Sequence, residues 1–377
     1  MRSRPGPGWA LRRRRNRNVR TVRSRPGDRR SHLGRGRPDV RLIGPARTAW
    51  VLTDGKAGDE APCLGVAEAL GCRIETRRVA PRAPFALLMP WGPPDPGERS
   101  DRPGSPLAPP LPDLVIASGR RAIPYVRAIR RASRGRTFTV ILKDPRTGPA
   151  SADLIWVPEH DRLRGRNVIV TLTAPHRLSA ARLVAARAVP DPRLAGLGRP
   201  RVAVLVGGDS RHHRFTPEDV GRLRAGLDSL VQEGAALMIT ASRRTPPGLR
   251  LALAELAGRG GHFLWDGTGD NPYVALLALA EAVVVTADST NMVGEAAATG
   301  APVLVFEPSG GHPKVSSYLE GLRRHGAVRP FRGRLEAFRY EPLDTTPEIA
   351  MAVAREMELR EAMLRIGRPE HEWPPLT

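Results

Sequence analysis

Short unbroken apolar runs alternate along the chain with stretches whose apolar residues recur at helical spacing. Runs at Thr48–Thr53, Arg73–Val79, Asp113–Ala117, Thr137–Leu142, Asp153–Val157 and Asn167–Thr171 read as strands, with helices at Ala61–Leu70 and Ala122–Ala132. Such strands lack the in/out alternation of a half-solvated sheet. They predict a parallel sheet covered on both faces. A Pro-, Gly- and Arg-rich segment, 190–200, then interrupts the pattern, and the alternation restarts. Strands are expected at Arg201–Val206, Ala236–Thr240, His262–Trp265, Ala282–Thr286 and Pro302–Phe306. Helices are expected at Pro217–Glu233, Pro247–Ala257, Tyr273–Ala280 and from Asp288–Thr290 onward. Thr216 is a good N-cap before Pro217, which suits the first helical position.

The pattern predicts an α/β chain of two Rossmann-like, doubly wound domains facing a central cleft. A length of 377 residues suits two domains. The expected organisation is a disordered Arg-rich tail at 1–46, with the true start codon near the first strand. A first Rossmann-like domain follows at 47–190, a linker at 191–200, a second domain at 201–350 and a helical segment at 351–377. Helical pieces after Pro347 are expected to pack back across the halves. No apolar run reaches the ~18 residues of a membrane span.

Charge changes this picture little. The formal net charge is +22, but residues 1–41 hold fifteen arginines against Asp28 and Asp39. The rest is scattered arginine, with lysine only at Lys56, Lys143 and Lys314. Such a bias accompanies a GC-rich coding sequence and says little about partners. Nucleic acid is not an expected partner, because interleaved aromatics suited to base stacking are missing. Cys63 and Cys72 form neither a zinc pattern nor a disulfide framework. Adjacent His212 and His213 lack a suitably spaced third ligand, so no metal site is expected.

Open α/β sheets bind ligands beyond the carboxyl ends of their strands, so the turns there carry the candidate chemistry. In the second half, Ser289, Thr290 and Asn291 open a helix whose N-terminus attracts phosphate, and Glu295 can accept from a ribose diol. Gly207 and Gly208 allow close approach to backbone amides. Ser242 and Arg243 end another strand, where an arginine fork can pair with a diphosphate. In the first half, Asp54, Gly55, Lys56 and Gly58 form a loop before the first helix, and Ser118 and Gly119 form a second turn. Asp59 and Glu60 open that helix. Either can serve as general base, and either can simply complement the helix dipole. The loop lacks the Gly-Lys-Ser/Thr ending of a P-loop and the spacing of a dinucleotide fingerprint.

The segments 50–60, 116–121, 206–209, 240–244 and 288–295 together resemble the mitochondrial fission ELM ("elongated mitochondria") family. The resemblance runs from about Thr48 to the C-terminus. The layout is also similar to GT-B glycosyltransferases, above all the peptidoglycan enzyme that adds N-acetylglucosamine to a lipid-linked acceptor. That resemblance gives Glu295 a ribose-binding role and sets Asp288 to Asn291 beside the diphosphate. It puts Asp59 where that enzyme carries a histidine base. It implies a GT-B-like, metal-independent glycosyltransferase or nucleotide-sugar-binding protein, with the nucleotide-sugar as co-substrate and no cofactor. The alternative is a non-catalytic adaptor on the same scaffold, acting in organelle or envelope morphology. A cytoplasmic protein is expected, peripheral on the inner face of a membrane if its acceptor is lipid-linked or belongs to the envelope. The cluster Phe85–Trp91, flanked by Arg82, reads either as a membrane-resting patch or as a loop packed on the first domain.

Overall fold

The computed structural model describes residue 43 and residues 46–365. Most of the Arg-rich tail and residues 366–377 lie outside the described residues, as does the expectation of disorder placed on that tail.

The first half runs β1 (Thr48–Thr53), α1 (Ala57–Leu70), β2 (Arg73–Arg78), α2 (Ala83–Leu88), β3 (Leu114–Ala117), α3 (Ile123–Ala132), β4 (Phe138–Leu142), β5 (Leu154–Pro158) and β6 (Val168–Thr171). After α4 (Ala180–Ala188) and α5 (Pro192–Ala195), the second half runs β7 (Arg201–Val206), β8 (His213–Arg214), α6 (Pro217–Gln232), β9 (Ala236–Ala241), α7 (Pro247–Ala257), β10 (Phe263–Trp265), α8 (Tyr273–Leu279), β11 (Ala282–Thr286), α9 (Thr290–Ala297), β12 (Val303–Phe306), β13 (Ser309–Gly310), α10 (Pro313–His325) and β14 (Val328–Pro330). The helix α11 (Thr346–Arg365) closes the described chain.

Each half holds one six-stranded parallel sheet, ordered β2-β1-β3-β4-β5-β6 in the first and β10-β9-β7-β11-β12-β14 in the second. Central strands are buried along nearly their whole length because helices cover both faces. Ala49 and Val51 pack under α1 and α11, while Trp50 and Leu52 face α3. Val202, Val204 and Val206 lie under α6 and α7, while Ala203 and Leu205 face α8 to α10. The outer strand β2, Arg-Ile-Glu-Thr-Arg-Arg, is largely exposed, and its charges suit an edge. This is the α/β architecture the apolar pattern predicts: two Rossmann-like halves facing a cleft.

Packing assigns the connections differently from composition. Leu183 of α4 and Leu194 of α5 enter the second half's core, and Arg187 donates to the Ala278 carbonyl (2.8 Å). The chain therefore crosses between halves ahead of α4, before the expected boundary at 190. It crosses back before α11, whose Ile349, Ala350, Val353, Ala354 and Met357 complete the first half's core. The two crossings are stitched together by threonine hydroxyls. Thr345 Oγ1 donates to the Thr173 carbonyl (3.0 Å), and His176 N–H donates to Thr346 Oγ1 (2.9 Å). Gly65 of α1 lies beneath them, where a Cβ would fall 2.4 Å from the His176 carbonyl.

Candidate functional site

Strand order reverses once in each sheet, between β1 and β3 and between β7 and β11. At such a point neighbouring connections leave toward opposite faces and open a crevice. The loops after β1 and β3, and those after β7 and β11, are the turns that carried most of the expected chemistry.

A cavity of about 490 Å³ lies between the halves. From the first half it is lined by Asp54, Lys56, Gly58, Asp59, Ser118 and Gly119, together with Arg120, Arg121, Lys143, Asp144, Arg146, His160 and Asp161. From the second half come Thr290, Asn291, Lys314 and Tyr318. Of the first-half expectations, Gly55 and Glu60 stand outside the lining. Of the second-half expectations, Gly207, Gly208, Ser242, Arg243, Ser289 and Glu295 stand outside it.

Asp59 is held on the first-half wall in the opening turn of α1. The helix begins at Ala57, earlier than the apolar pattern suggests. Its side chain is 12% exposed, and Lys143 Nζ donates to its Oδ1 (3.0 Å). The Ser118 hydroxyl lies 2.9 Å from both Asp59 Oδ1 and the Leu142 carbonyl, so its single proton serves one at a time. A Cβ on Gly119, which sits at φ +87°, would fall 3.2 Å from Asp59 Oδ2 and 4.0 Å from Asp54 Oδ1. The missing side chain leaves a notch flanked by two carboxylates. Asp54 Oδ2 accepts from Lys56 Nζ (2.5 Å), while Oδ1 is buried with no hydrogen-bond partner.

Glu60 faces elsewhere. Arg78 grips it through Nε (3.0 Å) and Nη2 (2.9 Å), and these hydrogen bonds hold its carboxyl below the ordinary range. A carboxylate so stabilised is a weak base, and it lies away from the cavity.

Asn291 spans the cleft for a reason written in α1. Pro62 sits inside that helix and has no N–H for the carbonyl four residues earlier, Gly58. Asn291 Nδ2 donates to that carbonyl (3.2 Å) from the other half. Beside it, the first-turn N–H groups of α9 have no helix carbonyl within reach, and the Ser289 side chain makes no capping bond to them.

The remaining second-half turns are tied to one another. Gly208 N–H (2.8 Å) and the Thr286 hydroxyl (2.7 Å) donate to Asp288, and Arg244 Nη2 pairs with it at 3.1 Å. Gly207 N–H donates to Thr286 Oγ1 (2.8 Å), and the Ser242 hydroxyl donates to the Gly207 carbonyl (2.9 Å). A Cβ on Gly207 would meet Asp288 Oδ2 at 2.2 Å, and one on Gly208 would meet the Arg244 backbone at 2.2 Å. These glycines are required by the loop's own packing. Ser242 secures the loop, whereas Arg243 is exposed. Glu295 is partly buried and accepts from the Tyr273 hydroxyl (2.5 Å). Burial outweighs that bond and raises its pKa to about 7.

Sequence reasoning missed Lys143 and Lys314 as site residues. The signal was present: of 60 lysines and arginines only three are lysine, and all three line this cavity. Among the described residues no group of three or more His, Cys, Asp or Glu is placed to hold a metal ion. No described helix is long and apolar enough to cross a membrane. The Phe85–Trp91 cluster is divided: Ala86 and Met89 are buried, while Leu87, Leu88 and Trp91 are 76%, 56% and 64% exposed.

The family described as "Mitochondrial fission ELM1" matches residues 57–357. The chain is 30% identical over 281 residues to mitochondrial fission protein ELM1 of Arabidopsis thaliana, covering 67% of this chain and 66% of that protein. It is 30% identical over 158 residues to an uncharacterized protein of Rickettsia prowazekii, covering 39% of this chain and 44% of the relative. The chain thus spans somewhat less than two thirds of the first relative's length and under half of the second's. Among solved structures, a UDP-GlcNAc 2-epimerase of Methanocaldococcus jannaschii aligns at TM-score 0.48 and 12% identity, over 82% of this chain and 99% of that one. MurG of Acinetobacter baumannii aligns at TM-score 0.42 and 15% identity, over 85% and 95%.

Proposed function

The chain belongs to the mitochondrial fission ELM1 family, and we propose that it is a metal-independent glycosyltransferase drawing on a nucleotide-sugar donor. One observation supports the reading above all. The loops after β1, β3 and β11 converge on one cavity, with the N-terminus of α9 facing Asp59 and Lys143 across it.

In this reading the donor diphosphate lies against the free N–H groups of α9 and the side chains of Thr290 and Asn291. The ribose reaches Glu295. Asp59, oriented by Ser118 and Lys143, uses Oδ2 to take the proton of an acceptor hydroxyl. The acceptor oxygen then bonds to the anomeric carbon, and the bond from that carbon to the diphosphate oxygen breaks. Its electron pair stays on the nucleoside diphosphate, which the helix N-terminus stabilises. Closure around the Asn291–Gly58 bridge excludes water. The exposed Leu87, Leu88 and Trp91, beside Arg82, support peripheral attachment to the cytoplasmic face of a membrane, where a lipid-linked or envelope acceptor would be met.

A thermal-shift panel of uridine, cytidine, adenosine and guanosine diphosphate sugars tests the reading on the full chain. Stabilisation by at least one, lost in Thr290→Pro and weakened in Glu295→Ala, is the expected result. No shift with any of them rejects it.

A second reading, a non-catalytic adaptor, is favoured by a different observation: most polar groups on the second-half turns are spent holding those turns. It predicts that Asp59→Asn leaves the cellular phenotype of a deletion strain fully complemented, which a glycosyltransferase using Asp59 would not allow.

A further inference from the structure

The cleft's first-half wall carries more unspent polarity than a donor site on the second half accounts for. A chain that uses arginine almost everywhere retains lysine only at Lys56, Lys143 and Lys314, and all three line the cavity. A compact ammonium on a flexible stem can serve a carboxylate and a ligand oxygen together, where a planar guanidinium is bulkier and fixed in its fork. Each ammonium contacts one carboxylate oxygen among the described residues: Lys56 on Asp54, Lys143 on Asp59 and Lys314 on Asp161. With three N–H donors apiece, each keeps two for something else. All three are more than half exposed, at 68%, 59% and 55%. With Arg120, Arg121 and Arg146, the lining holds six cations against four carboxylates.

Two more observations point to a ligand. Asp54 is 4% exposed in its side chain, yet its Oδ1 has no hydrogen-bond partner. A buried acceptor without a donor costs about 1–3 kcal/mol, and this one borders the notch left by Gly119. The loop after β4 is also strained: Lys143 and Arg146 hold φ of 152° and 63°, two of the three non-glycine residues described with positive φ. Strain of this kind collects where a side chain must be aimed.

We propose that this wall binds a phosphorylated sugar or polyol as the acceptor, its phosphate held by the cleft lysines and its hydroxyls donating to Asp54 Oδ1 and Asp59 Oδ2. Several ammonium donors suit an anion with three or more acceptor oxygens better than a carboxylate with two. The hydroxyl bound at Asp59 is the one transferred to, so the inference rests on the two-sided reading of the cleft given above. The same chemistry exists in the glycosyl phosphate end of a donor, and the experiment separates the two sources.

The full-length protein is titrated by calorimetry with glucose 1-phosphate, glucose 6-phosphate, inositol 1-phosphate, glycerol 3-phosphate, inorganic phosphate and glucose. At least one phosphorylated polyol should bind more tightly than either phosphate or glucose. Lys143→Met and Lys314→Met should each weaken it about tenfold or more. Asp54→Asn should abolish its advantage over inorganic phosphate while phosphate binding persists, a pattern that misfolding would not give. Binding no tighter than phosphate, or equal affinity in the lysine variants, overturns the site. The titration is repeated with the nucleotide-sugar giving the largest thermal shift. Simultaneous binding supports a separate acceptor; displacement assigns the lysines to the donor's own phosphate and overturns it. Nucleotide-sugar binding without phosphosugar binding rejects this inference and leaves the donor reading intact. Phosphosugar binding alone rejects the donor reading and leaves this site standing.

Discussion

Asp288 in the second half and Asp54 in the first occupy comparable places, each just beyond the strand at which its sheet reverses order. Their surroundings differ. Asp288 accepts from Gly208 N–H, the Thr286 hydroxyl and Arg244, and its side chain is fully buried. Asp54 pairs with an exposed lysine through one oxygen and leaves the other unpartnered beside the cavity. The second-half turns use their polar side chains to hold a backbone shape, and they offer a ligand mainly N–H groups and a helix end. The first-half turns line the cavity with charged side chains. Similar turn composition therefore serves scaffolding on one side and, in the proposed reading, substrate recognition on the other.

Substitutions can break this comparison, and the largest effect is expected at Gly207. Gly207→Ala places a methyl 2.2 Å from Asp288 Oδ2 and should cost about 3 kcal/mol or more, read as a lower urea midpoint. If the variant unfolds like wild type, the loop is looser than its hydrogen bonds imply. Asp288→Ala should cost about 2–3 kcal/mol, because it strands buried donors. Asp54→Asn should cost within about 1 kcal/mol, its ion pairs being with the exposed Lys56 and, at 3.8 Å, the exposed Arg121. Equal losses at the two aspartates would erase the distinction between a scaffolding turn and a recognition turn.

Glu295 sharpens the comparison by pH. Its carboxyl is raised from 4.5 to about 7 in the folded protein, chiefly by burial. The folded state therefore holds a proton that the unfolded chain has released, and Glu295 lowers stability as pH rises from about 4.5 through 7. Glu295→Gln should flatten that part of the stability–pH profile. A ribose diol donates to the ionised form, so nucleotide-sugar affinity should rise through pH 7 in the native protein and be flat in the variant. Asn291→Ala removes the exposed bridge to Gly58 and should cost about 1 kcal/mol or less. It should also increase the radius of gyration measured by small-angle scattering; an unchanged radius would show that the stitched crossings alone hold the halves. The smallest effect on stability belongs to Leu87→Ser, Leu88→Ser and Trp91→Ser combined. These exposed positions should together shift stability by only about 0.5 kcal/mol while abolishing co-sedimentation with anionic lipid vesicles. Retained co-sedimentation would remove the membrane reading.

The apolar runs were enough to find the strands at the sheet centres, since residues buried on both faces have no alternative pattern. Thr216 and Pro217 likewise announced α6, whose capping box is formed. Other elements were not legible. α4, α10 and β14 went unread, and α10 carries Lys314. α4 is apolar at most positions, with Leu183 buried and Val184 exposed, so no single face stands out in its sequence, whereas α10 displays polar residues away from the core and has few apolar positions. The boundary near 190 was placed by proline and glycine content, but a crossing point is set by which core Leu183 and Leu194 fill.

The sequence by itself determined two doubly wound halves, the polar turns at the carboxyl ends of their strands and the family, because burial periodicity, turn residues and local motifs are properties of neighbours in the chain. Only the tertiary structure decided which polar residues are available. Whether Asp54, Asp59, Glu60 and Asp288 meet a partner depends on donors contributed by strands and loops far away in sequence. For the same reason, Lys143 and Lys314 look like compositional residue until folding brings them beside Lys56 in one cavity.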